Sequence, residues 1–187
     1  MRIEDLVVNL SSDPFNPELN FACAKEYDSR GQTASAVSFY LRTAEFGYET
    51  HPDLAYQSLL RMSICFETQN DRRHTVSNCI LQAVALQPQR EEGYFLMSRF
   101  HERNSEWREC FTWAELGLYH SLDKANEFLD YPGKLGLLFE KAVSAWWIGR
   151  ADDSISTFML LKDMENLPLE YKVSVENNLT KVGKLTS

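Results

Sequence analysis

No stretch of this chain approaches the roughly 18 uncharged apolar residues of a membrane-crossing helix. Its amino terminus, Met1-Arg2-Ile3-Glu4-Asp5, puts acidic residues where a signal peptide needs an apolar run. Both absences lead us to expect a cytoplasmic protein without membrane contact. Positive charge is also scarce, since 19 Lys and Arg face 27 Asp and Glu for a formal net charge of −8. Nucleic acids and anionic membranes select clustered Lys and Arg that displace counterions, so neither is expected as a partner. Cysteine is limited to Cys23, Cys65, Cys79 and Cys110, all within apolar helical patterns and none in CxxC spacing. A disulfide framework or zinc site is therefore not expected, and reduced thiols buried in a core are.

Catalytic signatures are missing as well. His51, His74, His101 and His120 are dispersed, without HExxH spacing, and there is no GxSxG or phosphate-cradling glycine loop. His74 and Cys79 come closest to a base and nucleophile, but five positions apart on a helix they point to different sides. The acidic pairs Glu91-Glu92 and Asp152-Asp153 fall near helix starts, where carboxylates favour the helix dipole. Trp146-Trp147 is the one candidate stacking platform, and one ring of an adjacent pair normally faces a core. The expectation is a protein that is not an enzyme, with no catalytic residue, no metal and no cofactor.

What the chain does have is an internal repeat. Phe66 recurs as Phe100, Val76 as Cys110, Ile80 as Ala114 and Ala83 as Gly117, each at an interval of 34. A period near 34 marks helix–turn–helix units that bury their apolar faces by stacking on one another. At 187 residues and 44% apolar content, one all-α domain over 1–187 is expected. Repeats are placed at roughly 16–48, 53–88, 90–120 and 134–168, with a capping helix at 169–185 and a short helix at Leu6–Leu10. In the first repeat Asn16 is an N-cap and Pro17 the first helical residue, while Gly31 makes the turn. The later turns fall at Gln69-Asn70-Asp71, Asn104-Ser105 and Gly149. Residues 120–133 read as an irregular linker. The interval from Ala36 to Val76 is 40, which predicts a longer linker between the first two repeats.

These features resemble the tetratricopeptide repeat (TPR) family. Its pattern of small interface residues, aromatics, a turn Gly and a closing Pro is carried by Ala24, Tyr27, Gly31, Ala36 and Tyr40 in the first repeat. Phe66, Ile80, Ala83 and Pro88 carry it in the second, Cys110, Ala114 and Gly117 in the third, and Ala142, Gly149 and Phe158 in the fourth. The resemblance implies a TPR-like α-solenoid of about four helical hairpins that acts as a non-catalytic protein-interaction scaffold. It also implies that the first helix of each hairpin faces a concave groove. The positions so implied include Phe21, Lys25, Arg61, Phe95, Arg99, Arg103, Phe139 and Trp146. Four cations beside aromatic rings suit a protein or peptide segment of acidic character, with Arg gripping carboxylates and the rings taking apolar side chains. Where chaperone-tail-binding members of the family carry an Asn, this chain has Met62, so that ligand is not implied. Arg99 and Arg103 have a competing reading as partners of Glu102 and Glu106 along a solvated helix.

Two further function classes stand beside the scaffold. The runs Glu106–Ala114 and Ala142–Arg150 are similar to helical repeat segments that accompany some glycosyltransferases, which implies an accessory repeat domain of a glycosyltransferase system. The chain lacks an Asp-x-Asp triplet and any alternating strand–helix pattern, so the transferase itself would lie elsewhere. A self-assembling structural protein is the third class, because the open end of a helical array can stack on a copy of itself.

Overall fold

The computed structural model of the chain describes residues 3–69, 72–120, 131–165 and 167–185. Among the described residues there are ten helices and no strand: α1 (Ile3–Ser12), α2 (Pro17–Ser29), α3 (Thr33–Gly47), α4 (Pro52–Glu67), α5 (Arg73–Leu86), α6 (Glu91–Arg103), α7 (Trp107–His120), α8 (Lys134–Trp147), α9 (Ala151–Lys162) and α10 (Leu169–Leu185). Pairs α2–α3, α4–α5, α6–α7 and α8–α9 form four helical hairpins. The chain divides into two compact units, Met1–Pro88 and Gln89–Ser187.

In the first unit, α1 extends beyond the expected Leu6–Leu10 by about a turn. Ile3, Leu6 and Leu10 share one face and are buried against Cys23 of α2. A side chain such as Leu6, 3% exposed, contributes roughly 1.5–3 kcal/mol by leaving water. Asn16 then caps α2, its side-chain oxygen accepting from the Leu19 amide at 3.0 Å, and Pro17 opens the helix where no hydrogen bond is lost. Buried Asn20 ties the turn to the helix by donating to the Pro14 and Asn16 carbonyls at 3.0 and 2.8 Å. The hairpins pack through Ala24, Ala36, Tyr40, Met62 and Cys79. Ala24, Ala36, Ala55 and Ala83 are all fully buried, which is why small residues recur at these positions.

The second unit is built in the same way. Tyr94, Met97 and Phe100 of α6 and Cys110, Phe111 and Ala114 of α7 are buried, and Gly117 of α7 lets the helix approach Tyr94 and Leu137 closely. Ala142, Phe158, Leu161 and Val175 join α8, α9 and the capping helix α10. Serines bridge each hairpin here: Ser98 donates to the Cys110 carbonyl at 2.9 Å and Ser154 to the Ala142 carbonyl at 2.7 Å. Each such bond contributes about 0.5–1.5 kcal/mol net. All four cysteines are free and buried.

Three hairpin turns share one geometry. Gly31, Ser105 and Gly149 adopt φ of 70°, 58° and 81°. The amide after each donates back to the helix it has just left: Gln32 to the Tyr27 carbonyl, Glu106 to the His101 carbonyl and Arg150 to the Ala145 carbonyl, all at 2.9 Å. This closure of a helix through a left-handed residue leaves carbonyls satisfied and favours glycine. Ser105 does the same job with a β-carbon. In the second hairpin, Asn70 and Asp71 lie outside the described residues, as do 121–130 of the expected linker.

The long interval between the first and second repeats has a different origin from the one expected. The linkers 48–51 and 87–90 are equally short. Instead α4 has 16 residues where α2 has 13, and residues 68–72 separate α4 from α5 against 30–32 between α2 and α3. The extra length is inside the second hairpin.

Candidate functional site

In the first unit, α2 presents Lys25 and Asp28, α3 presents Tyr40, and α4 presents Arg61 and Cys65. Lys25, Asp28, Ser29, Tyr40 and Arg61 line an open pocket of about 290 Å³. Asp28 organises its base, one carboxylate oxygen accepting from the Tyr40 hydroxyl at 3.0 Å and the other from the Cys65 thiol at 3.8 Å. Burial, reinforced by the Asp28 charge and hydrogen bond, pushes the Tyr40 phenol well above its ordinary range. The same causes push the Cys65 thiol up to about 11. Both groups therefore stay protonated at neutral pH and serve as donors, and Cys65 is a poor nucleophile. Lys25 is exposed, its ammonium 5.9 Å from the centre of the half-buried Phe21 ring, which packs edge-on against Tyr40.

The second unit pairs Arg99 of α6 with Glu140 of α8 at 3.5 Å. Arg99 thus pairs across helices, and Glu106 pairs with His101 at 2.8 Å. Glu140 is almost fully buried, and burial lifts its carboxyl to about 7 although Arg99 pulls it down. Cys110, beside it, is raised by burial to about 11. Arg99 and Phe139 also line an open pocket of about 260 Å³ with Glu170, Tyr171 and Ser174 of α10. Tyr171 meets Phe139 edge to face at 5.2 Å. Arg103 is exposed on the last turn of α6, and Trp146 is half-buried near the end of α8.

Phe95 does not offer an open ring. It is only 8% exposed, lies 5.1 Å from the Tyr131 ring, and is approached by Gly136 so closely that a β-carbon there would stand 2.8 Å from it. Its role is to support Arg99, whose guanidinium lies 5.9 Å above its centre. Sequence-expected residues thus meet in two places, Phe21, Lys25 and Arg61 in the first unit and Phe95, Arg99 and Phe139 in the second. The other flagged groups are structural. Cys79 is buried and its thiol pushed up by burial. Glu91 and Glu92 do open α6, but both are buried, Glu91 accepting from the Tyr131 hydroxyl at 2.5 Å and Glu92 pairing with Arg90 at 2.7 Å. Among the described residues no group of three or more His, Cys, Asp or Glu is placed to hold a metal ion, and no helix is long and apolar enough to cross a membrane.

Sequence reading missed Glu140 and the contribution of α10. Glu140 follows Leu137, Leu138 and Phe139 on an amphipathic helix, and nothing local marks it as the charged residue that α6 and α7 enclose. Tyr171 falls within the capping helix expected at 169–185, where no site residue was expected. Its spacing of 3 from Ser174 was the available signal that one stripe of α10 continues the face carrying Arg99 and Phe139.

No protein-family model matches the chain, and no curated protein does. Solved structures do resemble it. MamA is 13% identical over 96% of this chain and 89% of its own, with a TM-score of 0.65. The pilF protein of Pseudomonas aeruginosa is 14% identical over 93% of this chain and 72% of its own, with a TM-score of 0.66. A thermophilic TPR protein of Thermus thermophilus is 13% identical over 95% and 89%, with a TM-score of 0.61. At such identities the likeness is one of architecture, and the chain has the fold of a TPR-like array of helical hairpins closed by a carboxyl-terminal helix.

Proposed function

We propose that this protein is a non-catalytic scaffold whose hairpins hold an acidic segment of a protein partner. The observation that carries the reading is the recurrence of a cation at an open pocket on the first helices of the hairpins. Lys25 and Arg61 flank one such pocket in the first unit, and Arg99 lines another in the second. In each, an aromatic side chain lies under or beside the cation, Phe21 for Lys25 and Phe95 for Arg99. The Arg99 guanidinium, held over Phe95 and paired through Nε with Glu140, has its terminal N–H groups left to grip a partner's carboxylate. Arg103, one turn beyond Arg99, adds a second positive charge on the same helix. Phe139 supplies apolar surface beside Arg99, which suits a segment that mixes carboxylates with apolar side chains.

The test is retention of partners from a lysate of the source organism by wild-type protein and by the Arg61→Glu/Arg99→Glu double variant, read by mass spectrometry. Partners held by wild type and lost by a folded double variant are expected. The same partners on both proteins would refute the assignment of these cations.

A further inference from the structure

A second pocket in the Gln89–Ser187 unit, of about 340 Å³, lies between α8, α9 and the later turns of α10. Val143, Trp146 and Trp147 come from α8, Phe158 from α9, and Lys181 and Val182 from α10. Phe158 and Val182 are buried at its inner side, and Trp147 is 60% exposed at its mouth. Lys181 is exposed and makes no ion pair with a described residue, and Asn178, a turn earlier on α10, brings a carboxamide to the same rim. The space is at the small end of the roughly 300–1,000 Å³ of ligand pockets, enough for one large side chain rather than a cofactor.

This pocket and the one at Arg99 lie along a single seam. Phe139, Val143 and Trp146 are spaced by 4 and 3 on α8, while Tyr171, Ser174, Asn178 and Lys181 are spaced by 3, 4 and 3 on α10. Each set is one stripe of its helix, and the two stripes face each other at both pockets. From Tyr171 to Lys181 the helix rises about 15 Å at 1.5 Å per residue, the reach of four to five extended residues at about 3.3 Å each. One end of the seam carries Arg99, the other Lys181, and the apolar pocket adjoins Lys181.

We propose that the seam between α8 and α10 anchors an extended acidic peptide, with a Trp or Leu side chain in the pocket at Trp146 and an adjoining carboxylate on Lys181, four to five residues from a carboxylate on Arg99. This rests on the reading of the chain as a binder of acidic segments and names where and how one binds. The seam selects by both features at once. At the Arg99 end Glu170 also lines the pocket, so the charge selection rests mainly on Lys181, which a basic segment meets with like charge. An acidic segment without a large apolar side chain leaves the pocket at Trp146 unfilled.

The test uses the whole chain and the fluorescein-labelled probe Glu-Glu-Ser-Gly-Ser-Trp-Glu, capped at its carboxyl end, with fluorescence anisotropy as the readout. Its Trp→Ala counterpart should bind at least about tenfold more weakly, as for loss of a buried aromatic anchor. A version with every Glu replaced by Lys should not bind. Lys181→Glu, at an exposed site, should weaken the parent probe roughly two- to fivefold, the scale of an exposed ion pair. Val143→Trp, which fills the pocket, should abolish the preference for Trp over Ala while far-UV circular dichroism confirms the fold. Equal binding of the Trp and Ala probes, or indifference to Lys181→Glu, would overturn the anchor. If binding were then still lost in Arg99→Glu, the general reading would stand and the anchor alone would fall. No saturable binding of the parent probe would also overturn the anchor, with the lysate experiment left to judge the general reading independently.

Discussion

Glu140 should make this fold less stable as the solution turns from acidic to mildly alkaline. Its carboxyl is buried among α6, α7 and α8, facing Arg99, Glu102, Arg103 and the Cys110 thiol, and it titrates at about 7 instead of its ordinary 4.5. Because the folded state holds the proton more tightly than the unfolded chain, there is no penalty below about pH 4.5. Between 4.5 and 7 the native state is progressively asked to bury a charge, and above 7 the full cost is present. A displacement of this size corresponds to about 3 kcal/mol at roughly 1.4 kcal/mol per pH unit. Glu140→Gln keeps the shape and removes the titration. Urea unfolding of both proteins from pH 4.5 to 8 isolates the effect, because the other groups titrate alike and cancel in the difference. The advantage of the Gln variant over wild type should grow with pH by up to about 3 kcal/mol, with its steepest change between 4.5 and 7. A difference that stays flat across this range would refute the assignment of a buried, protonatable carboxyl.

Three substitutions test the backbone and packing. Ser105→Gly should stabilise the third turn by up to about 1 kcal/mol, since it removes a β-carbon from a left-handed residue; an unchanged or lower melting temperature would contradict this. Gly149→Ala at the equivalent turn has open space around it, so its expected loss of about 1–2 kcal/mol is a backbone effect alone, measurable by urea unfolding. Gly117→Ala places a β-carbon 2.8 Å from the Tyr94 β-carbon and 2.9 Å from the Leu137 methyl groups, and should cost about 1–3 kcal/mol in the same assay, whereas a neutral result would mean that α7 shifts freely.

The hairpins were legible because each needs only local signals. Asn16-Pro17 starts a helix, Gly31 and Gly149 end one, and the small residues at 34-residue spacing mark where helices touch. Lys25, Arg61 and Arg99 became visible through the family resemblance, which implied that the first helix of each hairpin faces the groove. What escaped was set by residues far along the chain. Phe95 is closed off by Tyr131 and Gly136, and Glu140 is enclosed by side chains of α6 and α7. The 40-residue interval was visible, but only the lengths of α4 and its following turn show where the extra residues went. Burial of a particular side chain is a property of the assembled hairpins, and helical periodicity reports only the face it occupies.

Trp107 and Trp147 stack with their centres 5.2 Å apart and their planes 16° from parallel, joining the first residue of α7 to the last of α8. Two indoles this close couple their electronic transitions, so the pair is a built-in optical gauge of whether the third and fourth hairpins are docked. Its signal would disappear when those hairpins separate, even while each helix remains intact, and so would distinguish parting of the array from melting of its parts.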